Sequence, residues 1–308
     1  MCKVYLRFTF FQATGILILK DTAKTKNESV AHNEVVKMHS INTYLFKEFK
    51  HTPGHRANYA ILCNAEFKEN QWGIKYSPVN AYPKEYKILS AFSHPQIPVQ
   101  YKEGTDMMYR AGKPLIIQNY IILSHCEGED VVDYYKKRDL PDQQEIQNLI
   151  EYFSSITLPL HYLHSKGYIH SDIKPGHLIL NPHTRTISLI DLECAIKTGD
   201  MIRGMSKEYA SPEQKQMIRL LRNRSESESD KSILKKIKLT ATSDLYSLGL
   251  ILYQVATSTL WQETAIAPGK INKAIPDTLN RIILGLLEEE PGNRISSSEE
   301  LQKELKSV

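Results

Sequence analysis

The sequence predicts a two-lobed α+β fold, a small antiparallel sheet with one helix followed by a larger, mostly helical part. Three observations carry that prediction. After about residue 41, short runs rich in aromatic and aliphatic residues alternate with turn residues, the pattern of strands. After Cys126, longer segments place apolar residues at helical spacing. Strands first and helices after, with no internal repeat, is the order of an α+β chain rather than of alternating βα units. The 308 residues allow one large or two small domains, and 41% hydrophobic with 24% charged residues is enough for a packed core.

In chain order, "MCKVYLRFTFFQATGILILK" has an apolar stretch interrupted by Gln12, Thr14 and Gly15. A spanning helix needs about 20 apolar residues, and no small-residue cleavage site of a signal peptide is evident. An added strand or amphipathic element is expected there, rather than a membrane contact. Residues 21–40 are polar and read as a linker, so residues 1–40 form an N-terminal extension to a domain spanning 41–308. The domain divides into lobes of about 41–125 and 126–308.

"TYLFKEF", "ANYAILCNAEF" and "QWGIKYS" read as strands, and "PKEYKILSAFS" as a short helix with Pro83 near its start. "PLIIQNYIILS" is one more strand or a strand pair. "EIQNLIEYFSSITLPLHYLHSKG" is a helix ending at Gly167, and "HLILNPHTRTISLIDL" is two short strands around a turn. "TSDLYSLGLILYQVAT" is an apolar helix, with Thr242 and Ser243 as candidate caps. Residues 222–240 alternate Ser with charges and then turn basic, the composition of a flexible surface insert where a regulatory partner could dock.

The net charge of +4 is too weak to argue for nucleic acid, and none is expected as a partner. The four cysteines are scattered with no CxxC pair, which suits reduced thiols in a cytoplasmic setting. His161 and His164 are three apart, but no Cys or carboxylate nearby completes a zinc pattern.

"YLHSKGYIHSDIKPGHLIL" and, after it, "SLIDLECAI", "MSKEYASPEQ", "DLYSLG" and "PGNRISSSEEL" carry the chemistry. Together they resemble the Ser/Thr protein kinase superfamily over about residues 41–308. The resemblance implies a bilobal protein-kinase-like fold, ATP with Mg²⁺ or Mn²⁺ as cofactors, and a protein hydroxyl as acceptor. Phosphoryl transfer depends mostly on positioning and charge neutralisation. Asp172 would accept or orient the substrate hydroxyl proton, and Lys174 would neutralise the transferring phosphate. Asp191 would bind the metal. Lys75 in "WGIKYS" would hold the nucleotide phosphates, and Glu85 in "KEYKIL" would be its partner. Glu85 follows Lys75 by ten positions, a short interval for the family. Lys68 competes for the role, but it falls in the polar turn "EFKENQ". Leu123 would be the gatekeeper, with backbone groups of Ser124 to Cys126 offered to adenine. Ser206 matches a residue that contacts the catalytic loop, Glu213 is expected to pair with Arg294, and Asp244 and Gly249 match the helix start that braces the loop.

The pattern departs from the family at four places. The phosphate-covering loop "FKHTPGHRANYAI" has a single glycine, Gly54, so Arg56 or His55 meets a phosphate or the stretch is a plain surface turn. Ser171 replaces an Arg that would pair with a phosphate on the activation segment, which implies activity independent of that phosphorylation. His177 replaces a metal-binding Asn. Imidazole suits softer ions than Mg²⁺, so the site favours Mn²⁺, or Asp191 holds one ion while His177 only packs. Leu192-Glu193 replaces Phe-Gly, so this segment is expected to switch less readily. Two alternatives follow. One is a pseudokinase acting as a binding scaffold. The other is a small-molecule phosphotransferase of the aminoglycoside or choline kind, which Pro175-Gly176 and Glu193 resemble but "YASPEQ", "DLYSLG" and Arg294 do not.

Overall fold

A computed structural model describes all residues except 1–4, 11–16, 21–32, 39–43, 51–58, 65–70, 78–83, 111–112, 139, 223–231 and 235. Two compact units emerge, Met1–Ser93 with Pro98–His125, and His94–Ile97 with Cys126–Val308.

The first unit is antiparallel sheet plus one helix. Its strands are β1 (Tyr5–Phe10), β2 (Leu17–Lys20), β3 (Asn33–Met38), β4 (Tyr44–Lys50), β5 (Tyr59–Asn64), β6 (Gln71–Ser77), β7 (Gln100–Arg110) and β8 (Lys113–Ser124). They hydrogen-bond in the order β1-β2-β3-β7-β8-β6-β5-β4 and close through β1 and β4. The sheet therefore includes three strands from the N-terminal extension, and residues 33–38, read as linker, are one of them. "NEVVKM" hides it, because charges at both ends dilute two β-branched residues. β7 is a second strand that periodicity did not show, since "QYKEGTDMMYR" mixes charges through its length. α1 (Lys84–Leu89) buries Glu85, Ile88 and Leu89.

The second unit begins with β9 (Glu129–Asp130) and α2 (Val131–Lys136). The Asp130 carboxylate caps α2 by accepting from Val132 N at 2.8 Å and Asp133 N at 3.1 Å, two of the helix's orphan donors. α3 (Gln143–Ser165) is the long periodic helix. Leu149, Phe153, Ile156, Leu160 and Leu163 recur along one face and are fully buried. Pro159 interrupts it without breaking it. A proline removes the N–H that the carbonyl four residues earlier would accept from, and here Gln96 Nε2 donates to that Ser155 carbonyl at 3.1 Å instead. Gly167 (φ 75°) ends the helix in the left-handed conformation glycine tolerates.

β10 (Tyr168–Ile169) pairs with β13 (Ile196–Lys197), and β11 (Leu178–Asn181) lies between β9 and β12 (Thr186–Leu189). The later helices are α4 (Pro212–Arg222), α5 (Ala241–Thr257), α6 (Trp261–Thr264), α7 (Pro268–Ile271), α8 (Asp277–Leu286) and α9 (Ser298–Leu305). α5 is buried along nearly its whole length. Its cap is Thr240, not Thr242 or Ser243, which lie inside the first turn.

Most of the Ser-rich part of 222–240 lies outside the described residues. Its basic end is not a free surface insert. Leu234 and Ile237 pack on a cluster of Ile169, Ile196, Ile202, Met217 and Leu239, and Leu239 is fully buried. Periodicity in "ILKKIKL" was masked by its lysines. Among the described residues, no helix is long and apolar enough to cross a membrane.

Candidate active site

The turn between β10 and β11 positions the candidate catalytic residues. Asp244, near the start of α5, accepts from His170 N at 2.7 Å and Ser171 N at 2.8 Å. Its Oδ2 also meets His164 Nε2 at 2.9 Å, and the other nitrogen of that ring meets Ser298 Oγ at 2.9 Å. A buried carboxylate is stable only with such partners, and these fix the loop backbone to α3, α5 and α9. Ser171 and Asp191 both take positive φ, 67° and 66°. Non-glycine residues there cluster where structure over-determines them.

The side chains then converge. Asp172 Oδ2 lies 3.3 Å from Lys174 Nζ, and Oδ1 accepts from Ser206 N at 2.5 Å. The contact expected of Ser206 is present, made by its amide. His177 Nδ1 meets the Asp172 carbonyl at 2.8 Å. A carbonyl only accepts, so Nδ1 carries the proton. Nε2 then faces Asp191 Oδ2 at 3.3 Å. His170 Nε2 donates to the Ile190 carbonyl at 3.0 Å, and its Nδ1 accepts from Asp172 N at 3.3 Å. Burial, and secondarily the neighbouring His177, lowers the pKa of His170 and favours its neutral form. Cys194 senses the local field. Its thiol is pushed up to about 12 by burial first, then by the charges of Asp172, Asp191 and Glu193.

Below the loop, Arg294 grips Glu213 with two hydrogen bonds of 2.8 and 2.9 Å. The same guanidinium donates to the carbonyls of Glu288, Glu289 and Thr242 and lies 4.8 Å from the Tyr246 ring centroid. Ser243 Oγ donates to Glu213 at 2.8 Å. Burial pushes the Glu213 carboxyl up, but the hydrogen bonds and charge of Arg294, with Ser243, leave its pKa below the ordinary value.

The chain that carries this loop, with its carboxylate–lysine pair and a bidentate Glu–Arg pair beneath, matches the protein kinase domain family model over residues 55–305. The chain belongs to the protein kinase domain family. Among curated relatives, it is 28% identical over 211 residues to a probable serine/threonine-protein kinase of Clostridium acetobutylicum, covering 62% of this chain and 28% of that one. It is 26% identical over 265 residues to a probable serine/threonine-protein kinase of Clostridium perfringens, covering 79% and 33%. It is 24% identical over 246 residues to the serine/threonine-protein kinase PknB of Mycobacterium leprae, covering 73% and 35%. The chain thus spans about a third of the length of these relatives.

The kinase-domain residues fall in both units. Asp172, Lys174, His177 and Asp191 come together in the second. Cys126 also lies there, its thiol hydrogen-bonded to Ser188 and raised in pKa chiefly by burial. Lys75, Glu85 and Ser124 belong to the first. Lys75 sits in β6, in register with Tyr59 of β5 and Ile121 of β8. Glu85 is buried on α1. Ser124 N donates to the Val99 carbonyl at 2.8 Å, and its Oγ accepts from Val99 N at 2.8 Å. The single-glycine loop, with His55 and Arg56, lies outside the described residues.

Sequence reasoning missed Gln214, whose Nε2 donates to the Ser171 carbonyl at 2.8 Å. It also missed the Ser298–His164 link to Asp244. Neither carries a signature in the sequence. Gln214 stands directly after "SPE", and that adjacency was the only available hint.

Proposed function

We propose that this chain is a Ser/Thr protein kinase domain that transfers the γ-phosphoryl group of ATP to a protein hydroxyl. The observation that carries the reading is the Asp172–Lys174 pair at 3.3 Å, with Asp191 reached through His177. Asp172 Oδ1 is held by the Ser206 amide, leaving Oδ2 to orient an incoming hydroxyl and take its proton. Lys174, beside that oxygen, neutralises charge on the transferring phosphoryl. Lys75 and Glu85 hold the nucleotide phosphates, and the backbone from Ser124 to Cys126 meets the adenine. The names of the relatives support a protein acceptor over an aminoglycoside or choline. Cys126 and Cys194 are free thiols, which suits a reducing, cytoplasm-like setting. The Ser-rich stretch within 222–240 is the proposed contact for a regulatory partner, supported by composition alone.

The donor set fits a divalent ion. His177 Nε2 lies 3.3 Å from an Asp191 oxygen, so an imidazole nitrogen and a carboxylate converge there. Among the described residues, no cluster of three or more His, Cys, Asp or Glu side chains could form a metal cage. An ion held by two side chains completes its shell with substrate phosphates and water. When bound, it supplies charge neutralisation at the phosphates.

The test is transfer from labelled ATP, with Mg²⁺ and with Mn²⁺, by the wild type and by Asp172→Ala. The wild type is expected to incorporate label into itself or a generic protein acceptor. Asp172→Ala is expected to lose about 10²–10⁴-fold. Equal labelling in the two would remove Asp172 from the mechanism. Nucleotide binding without any transfer would make the chain a scaffold.

A further inference from the structure

Ser171 stands beside the proposed base with its backbone at φ 67°. For an L-residue with a Cβ this conformation is unfavourable, so something must hold it. Every polar group of Ser171 is bound. Its N–H donates to Asp244 Oδ1 at 2.8 Å. Its carbonyl accepts from Gln214 Nε2 at 2.8 Å, and its hydroxyl lies 3.4 Å from the same nitrogen. Gln214 is anchored in turn. Its Oε1 accepts from Ser211 N at 2.9 Å, and its own N donates to Ser211 Oγ at 3.4 Å. Ser171, Ser211 and Gln214 are 2%, 0% and 1% exposed. Buried hydrogen bonds that leave no group unsatisfied are costly to break singly.

The turn is therefore clamped from α5 by Asp244 and from the start of α4 by Gln214. Residues 206–214 are tied to the loop twice, by the Ser206 amide on Asp172 Oδ1 and by the Gln214 side-chain amide on Ser171. The segment's half of each tie is an uncharged amide. Nothing in either tie calls for added negative charge on the segment.

We propose that Gln214 is a positioning residue for phosphoryl transfer. Its side-chain amide locks the Ser171 turn, and with it the aim of Asp172, so that residues 206–214 stay in working register without a phosphate group on them. The proposal rests on the reading of Asp172 as the base.

Two variants and two readouts test it. Gln214→Met keeps the volume and removes the amide. Gln214→Glu keeps the shape and the acceptor for Ser211 N but sets a carboxylate against the Ser171 carbonyl. Both are expected to lower kcat about 10- to 100-fold, since small misplacement of a catalytic group costs that much. The KM for ATP is expected to stay within about twofold of wild type, because the nucleotide-holding residues are not touched. Phosphatase treatment of the wild type is expected to leave kcat unchanged. Hydrogen exchange, which needs no turnover, is expected to show faster exchange of the 170–173 amides in both variants.

Unchanged kcat in both variants, or equal losses in kcat and nucleotide affinity alongside a collapsed melting temperature, would overturn the positioning role. So would a wild type inactivated by phosphatase. If the wild type transfers no phosphate, the reading of Asp172 fails separately, and exchange rates still decide the clamp. Protection of 170–173 identical to wild type in Gln214→Met would sink it.

Discussion

His177 has one ring nitrogen committed and one to offer. Its Nδ1–H is held by the Asp172 carbonyl, which turns Nε2 toward Asp191. Imidazole is a borderline ligand that suits Mn²⁺ better than Mg²⁺, whereas an amide oxygen is hard and suits Mg²⁺. Asn at this position could still donate to the Asp172 carbonyl while presenting oxygen to the ion. His177→Asn is therefore expected to invert the metal preference. In a thermal-shift titration, the wild type should gain more from Mn²⁺-nucleotide than from Mg²⁺-nucleotide. The variant should shift that balance toward Mg²⁺ by about tenfold in apparent affinity, about 1.4 kcal/mol. The same response to both ions in both proteins would place His177 outside the metal site.

At the scale of elements, α5 and α8 pack closely at Gly249. A Cβ on Gly249 would lie 2.7 Å from Leu286 Cβ and 3.3 Å from Leu287 Cδ2. Helix propensity alone would favour Gly249→Ala by up to about 1 kcal/mol. Overpacking a full core costs about 1–3 kcal/mol, and the contacting atom is a Cβ, which cannot swing away. The clash wins, and a melting temperature about 2–4 °C lower per kcal/mol is expected by calorimetry. An equal or higher value would show that the helices part freely. Asp244 sits on this same helix, so its packing bears directly on the loop that Asp244 holds.

The elements also show what the sequence could and could not reveal. Residues 170–213 were legible because phosphoryl chemistry restricts residue types at fixed spacing, and "HSDIKP", "LIDLE" and "SPEQ" keep those spacings. The long helix was legible despite Pro159 because its apolar period continues across it. β7 and β3 were not, since charged residues along them erase alternation. Gln214 was not, since its role exists only where it meets Ser171, 43 residues away in sequence. The Ser298–His164–Asp244 chain joins positions up to 134 residues apart and has no local pattern at all.

At the scale of the molecule, the Glu213–Arg294 pair joins the start of α4 to the turn before α9 across 81 residues of sequence. Among the described residues, Arg294 is otherwise held only by carbonyls and a ring face, so removing its carboxylate partner leaves a buried charge. Glu213→Gln is expected to cost about 3–5 kcal/mol at neutral pH. The pair also makes stability depend on pH with a definite sign. The folded pKa of Glu213 lies below its ordinary value of 4.5. Its contribution is complete above 4.5 and is lost as pH falls from there through the lower folded value, because the unfolded chain binds the proton first. His170 acts in the same direction from higher pH. Burial lowers its pKa below the ordinary 6.5, so below that value the unfolded chain takes up a proton that the folded one resists. Melting curves across pH are therefore expected to show the wild type weakening below about 6.5 and again, more steeply, below about 4.5. Glu213→Gln removes only the second source. It is expected to start lower at pH 7, keep the first decline, and approach the wild type at acid pH as the wild-type carboxylate is protonated. A variant that declines below 4.5 as steeply as wild type would locate the acid sensitivity in other carboxylates and leave this pair a purely geometric brace.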